Sequence, residues 1–188
     1  MSTPKENENW ILSFYRTSEI SGALFFGRLA KSLRVPAIQR DMTKHFADES
    51  QHAWIWTKAI HDLGMKPQNL NIAYQDKYIE VAGMPTNLME VLAITQVFEK
   101  RVIGQYSHHR SMPGLDPVIH QAITTIMEDE KWHIQWIGDA LKGLEAEYGV
   151  ELIQSTLKKF SDADREVYAT SLKEHEDRIS ELFVKQKR

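Results

Sequence analysis

Asp48-Glu49-Ser50-Gln51-His52 and Asp129-Glu130-Lys131-Trp132-His133 are two copies of one pattern, Asp-Glu-x-x-His, set 81 residues apart. A single Glu-x-x-His means little, because 16 glutamates and 8 histidines in 188 residues give about 0.7 such pairs by chance. The surroundings give the pattern weight. Each pair follows an aspartate, and each falls on the apolar stripe of a helix-period segment, where residues three apart point the same way and can grip one ion. Two more glutamates, Glu19 and Glu99, lie on the stripes of the segments just before them. Glutamate followed by Asp-Glu-x-x-His thus occurs twice, as two helical hairpins related by a pseudo-twofold repeat would show it.

The helical period runs through the whole chain and strand-like alternation is nowhere sustained, so the sequence predicts an all-α protein. A first helix is expected from about Glu8 to Arg34, ended by Pro36, and a second from Pro36 to Leu63, capped by Gly64. Residues Met65 to Pro85 form a long connection with one short helical stretch near Tyr74–Val81. A third helix is expected from Thr86 or Asn87 to Ser111. The fourth starts at Asp116-Pro117 and runs to Tyr148-Gly149. A C-terminal helical extension follows, Val150 to Phe160 and Asp164 to Phe183, with Ser161-Asp162 as a turn between them. Residues 1–188 are read as one domain, the bundle over about 8–148 and the extension over about 150–185.

Four stripes with three- and four-residue spacing make the seams of a bundle. They read Leu12, Tyr15, Glu19, Gly22, Phe26, Leu29, Leu33; Ile38, Met42, His45, Glu49, His52, Trp56, Ala59, Leu63; Leu88, Leu92, Thr95, Glu99, Val102, Tyr106; and Ile119, Ile123, Ile126, Glu130, His133, Ile137, Ala140, Leu144. Counting along each hairpin to its turn and back levels Glu19 with Glu49 to roughly 3 Å, and Glu99 with Glu130 to about 1.5 Å. The 21-residue connection is long enough to cross the bundle's length, the one-crossover topology. Four buried carboxylates at one level need a counter-charge, and two divalent cations would supply it. Carboxylate and imidazole suit iron, with manganese as the alternative at one or both positions.

At these residues the chain resembles the ferritin-like di-iron carboxylate superfamily, from about Trp10 to Leu144. The resemblance implies a four-helix bundle with two metal ions on Glu19, Glu49, His52, Glu99, Glu130 and His133. Glu49 and Glu130 would bridge the ions, Glu19 and Glu99 would be terminal, and each histidine would complete one metal. The Asp-Glu-x-x-His form is similar to the di-iron monooxygenases, which implies that Asp48 and Asp129 orient the metal-bound imidazoles. Near Glu49 and Glu130 the sequence is similar to bacterioferritin, but Ser50 stands where that family carries its haem-ligating methionine, so no haem is expected. Rubrerythrins add a cysteine-ligated domain and an extra glutamate; this chain has no cysteine, and Thr95-Gln96 fill the turn before Glu99.

The function expected from the resemblance is a dioxygen-activating oxidoreductase that oxidises or hydroxylates a small organic substrate, as a monomer or homodimer, with electrons from a separate donor protein. The alternatives are a ferroxidase or iron-storage protein, against which the long extension speaks, and a tRNA-modifying hydroxylase. A net charge of −3 with scattered basic residues disfavours a nucleic-acid partner. The absence of cysteine removes disulfides, thiolate zinc sites and iron–sulfur clusters. The polar first ten residues and the lack of a ~20-residue apolar run lead to an expected cytoplasmic location without membrane contact.

Among the remaining candidates, His45 reads as a hydrogen-bonded core residue ahead of a proton donor, Tyr15 and Tyr106 as hydrogen-bonded core residues ahead of electron or proton relays, and Gly22 as room for dioxygen or substrate or for close helix packing. Trp54, Trp132 and Trp136 read as core or helix-interface residues. His108-His109 reads as a C-terminal helical turn, and Lys173–Arg178 as a solvated face.

Overall fold

The structure, a computed structural model, describes residues 3–70, 78, 80–171 and 173–185, and every regular element among them is helical. The elements are α1 (Pro4–Ser32), α2 (Pro36–Asp62), α3 (Leu88–Arg110), α4 (Pro117–Gly143), the short α5 (Glu145–Tyr148), α6 (Val150–Ser171) and α7 (Lys173–Lys185). Of the stretch expected near Tyr74–Val81, Tyr78, Glu80 and Val81 are helical; Tyr74–Lys77 and Ile79 lie outside the described residues.

Local chemistry sets the boundaries. At α1, Thr3 Oγ1 accepts from Glu6 N–H (3.2 Å) and Glu6 Oε2 accepts from Thr3 N–H (2.6 Å), with Pro4 in the first turn. This reciprocal cap satisfies two amides that have no helical partner, and it starts α1 four residues before the expected Glu8. Pro36 stops α1 and opens α2, because Val35 before it is held extended (φ −99°, ψ 101°). Gly64, at φ +68°, turns the chain out of α2 as Met65 N–H bonds back to Ile60 O (3.0 Å); the left-handed region favours glycine there. Asn87 Oδ1 caps α3 by accepting from Glu90 N–H (2.9 Å), and Asp116 Oδ1 accepts from Val118 N–H (2.8 Å) at the start of α4.

Two expectations about the C-terminal half are corrected. The fourth helix ends at Gly143 rather than Tyr148, and a separate single turn, α5, follows. Ser161-Asp162 is not a turn but lies within α6: Asp162 pairs with Lys158 one turn earlier. A half-buried serine and an exposed aspartate with an i,i+4 lysine are tolerated in a helix that packs well on its other face.

By internal packing the chain divides into two units, each drawn from distant segments. The first is Met1–Ile72, His109–Ile126 and His175–Arg188. Here α1 packs along α2, with Arg16 donating to Thr57 Oγ1 (2.8 Å). Ile11, Leu12, Tyr15, Met42, Trp56, Ile60, Ile119 and Ile123 are buried in this unit. The second unit is Ala73–His108 and Met127–Glu174. There Tyr78 OH donates to Phe160 O (2.9 Å), and Arg101 pairs with Asp164 (3.1 Å), fastening the C-terminal extension to α3 and to the preceding connection. Burial and the charge of Asp164 both raise the Tyr78 phenol above its ordinary value, so it stays a donor. No helix among the described residues is long and apolar enough to cross a membrane.

Candidate metal centre

In the first unit α1 and α2 carry half of the expected ligand set. Glu19 comes one turn after Tyr15 on the α1 seam, and Glu49 and His52 lie one turn apart on α2. All three are buried, and each offers a ligand atom within 4.8 Å of the other two. His52 Nδ1 stands 3.7 Å from Glu19 Oε2. His45, one turn before Glu49, is also fully buried, with its Nε2 3.3 Å from Glu49 Oε1 and its ring stacked on Phe26 at 3.8 Å. Glu49 therefore lies close both to His45 and to the Glu19–His52 pair. Gly22 makes this arrangement feasible: a Cβ on it would overlap Glu49 Oε2 and lie 3.2 Å from Cδ.

In the second unit α3 supplies Glu99, and α4 supplies Glu130 and His133. Again all three are buried. His133 Nδ1 lies 3.2 Å from Glu130 Oε2 and 3.8 Å from Glu99 Oε2. Thr95 and Gln96, the turn before Glu99, are buried too, with Thr95 Oγ1 donating to Val91 O (2.9 Å); no carboxylate occupies that turn. Asp48 and Asp129 are half-buried at the edges of their pairs, and Asp48 accepts from Lys44.

Chemistry tests whether these residues suit a metal. Among the described residues Glu19, Glu49, Glu99 and Glu130 are the buried acidic side chains, and no lysine or arginine is buried. Burying a charged carboxylate costs several kcal/mol unless charge and hydrogen bonds compensate it. In each unit histidines face these carboxylates, His52 and His133 through Nδ1 and His45 through Nε2. Carboxylate and imidazole donors are the set that hard to borderline divalent ions take. The residues fit such ions.

The structure keeps all six expected residues on buried faces and adds His45, whose place one turn before Glu49 was visible in the sequence although its distance to that carboxylate was not. Two other expectations are corrected. Trp54 is not core but 57% exposed, since it sits two residues past His52, off the α2 seam, whereas Trp136 is buried. His109 lies in the last turn of α3, as expected, and is fully buried there, its ring 5.7 Å from Tyr15. In the run 173–178, Lys173, Glu174 and Asp177 are exposed as expected, but His175 is buried, because it shares a stripe with Ile179 and Leu182.

A protein-family model described as Rubrerythrin matches residues 11–141, more than two thirds of the chain, from α1 almost to the end of α4. No curated protein and no solved structure matches it significantly.

Proposed function

The chain belongs to the rubrerythrin family, a ferritin-like di-iron carboxylate family, and on that premise we propose that it is a non-haem di-iron oxidoreductase that reacts with dioxygen to oxidise a small organic substrate. The observation that carries the reading is the coincidence, among the described residues, of the four buried acidic side chains with the four glutamates of the repeated pattern, where no lysine or arginine is buried. Glu19, Glu49, His52, Glu99, Glu130 and His133 would hold the two ions, and Glu49 and Glu130 are the carboxylates the two would share. The closeness of Glu49 both to His45 and to the Glu19–His52 pair supports the shared role. Asp48 and Asp129 orient the imidazoles.

Two ferrous ions on these residues would supply the electrons that dioxygen reduction needs. The chain's own part is to hold ligands without reorganisation and to exclude water. His52 and His133 present Nδ1, the nitrogen nearer the helix backbone, which fixes the ring orientation and leaves Nε2 for an outer hydrogen bond. Gly22, lacking a side chain, leaves on α1 the room that the Glu49 carboxylate occupies. His45, at 3.3 Å from Glu49 Oε1, is placed to hold a proton for that carboxylate or to donate to it. Electrons for further turnover come from a separate protein, since no cysteine is present to hold an iron–sulfur donor.

Anaerobic loading with ferrous iron followed by a dioxygen pulse tests the reading. A ferric absorption that forms and then disappears on addition of reductant, together with an oxidised organic co-substrate, is expected. Iron that instead accumulates over repeated additions in a large assembly would establish the ferroxidase alternative, and ferrous protein inert to dioxygen would overturn both.

A further inference from the structure

Helix α7 brings a histidine onto a buried tyrosine. His175 is 1% exposed and its Nε2 lies 3.1 Å from Tyr15 OH, while its Nδ1 lies 3.5 Å from Glu176 Oε1. Tyr15 is itself 2% exposed, with Trp56 at 5.1 Å and His109 at 5.7 Å between ring centroids. Tyr15 stands one turn before Glu19 on α1, and Trp56 one turn after His52 on α2. The ring pair therefore lies about 6 Å along the helix axes from the Glu19–His52 pair. Helix α7 is fixed on α1 at a second place: Asn7 donates to Glu181 Oε2 (2.6 Å) and accepts from Arg178 (2.7 Å), whose guanidinium covers Trp10 at 4.8 Å.

A phenol that loses an electron becomes a strong acid, so in a dry site it yields an electron easily only when a base takes its proton in the same event. In the tautomer with its proton on Nδ1, the imidazole turns the Nε2 lone pair to the phenol, and the Glu176 carboxylate, 3.5 Å from Nδ1, balances the imidazolium that forms. We propose that Tyr15 and His175 form a proton-coupled one-electron relay serving the metal centre. Tyr15 gives one electron to the oxidised metal pair. Its O–H bond breaks, and the proton forms an N–H bond at His175 Nε2, leaving a neutral phenoxyl and an imidazolium. One electron from the external donor protein restores the phenol as the proton returns. The relay role rests on the proposed metal centre; the phenol–imidazole chemistry does not.

The test uses the full metal-free chain and a soluble one-electron photo-oxidant, read by electron paramagnetic resonance. The native protein is expected to give a neutral tyrosyl signal that Tyr15→Phe loses and His175→Gln loses or strongly diminishes. The isosteric Tyr15→Phe guards against misfolding, and deuterium oxide provides a readout without mutation: formation of the native radical slows when the transferred proton is a deuteron. A native signal equal to that of Tyr15→Phe overturns the proposal. So does a signal indifferent both to His175→Gln and to deuterium. Ferrous titration of the same proteins separates the two readings, because native protein that takes up no iron removes the metal centre while the radical signal still decides the pair.

Discussion

At Gly22 a hydrogen in place of a methyl group decides where Glu49 can put its carboxylate. Alanine in a helix interior is ordinarily better than glycine by about 1 kcal/mol, so on propensity alone Gly22→Ala would stabilise α1. The added Cβ meets Glu49 Oε2, and the carboxylate must turn away. Gly22→Ala is therefore expected to keep or raise the melting temperature of the metal-free protein while weakening ferrous binding by roughly tenfold to a hundredfold, the range for disturbing a ligand's support. Calorimetric titration and melting curves of the same two proteins check it; unchanged binding would show that Glu49 is not held where it must act. The sequence indicated that this glycine faces the seam, but only coordinates reveal which side chain fills the space it leaves. His45 differs in kind. A histidine on a seam reads first as a core residue with a hydrogen bond, and the 3.3 Å approach to Glu49 depends on rotamers that spacing does not determine.

Among the helices, ends and interruptions were read less well than faces. The seams depend on a strong signal, many apolar residues in one period, and most of their members are buried. Boundaries depend on one or two side chains. Thr3-x-x-Glu6 is a capping box in plain view, yet the polar stretch around it masked the start of α1. Ser161-Asp162 looks like a turn, and the pairing of Asp162 with Lys158 keeps it helical. His175 was hidden among charged neighbours although the spacing to Ile179 and Leu182 marks one face. At the start of α3, Glu90 accepts hydrogen bonds from Thr86 N–H (2.6 Å) and Thr86 Oγ1 (2.9 Å). These bonds, the backbone one first, hold its carboxyl below the ordinary value. A carboxyl whose pKa is lowered on folding adds stability above its unfolded pKa, about 4.3, and loses that contribution as pH falls through the folded value. The melting temperature of the native protein should accordingly exceed that of Glu90→Gln at neutral pH, with the gap closing in acid. A gap that stays constant across that range would mean the charge is not what Thr86 holds.

For the whole molecule the decisive quantity is charge that has been taken out of water. Four carboxylates are buried among the described residues with histidine neighbours and no buried lysine or arginine. Such a set is costly when empty and favourable when two cations occupy it. The doubled Glu and Asp-Glu-x-x-His pattern made this set legible before any coordinates, because it needs only residue type, helical period and distance to the turns. The reaction was not legible to the same degree: members of one fold family share ligands and differ in the residues around them. Anaerobic titration with ferrous iron, measured as ions bound per chain, tests the central claim most directly. The native protein should bind two, and Glu49→Ala and Glu130→Ala should each bind fewer while keeping the helical content of the native chain. A native protein that binds none in stoichiometric amount, or variants that bind two as the native does, would contradict it.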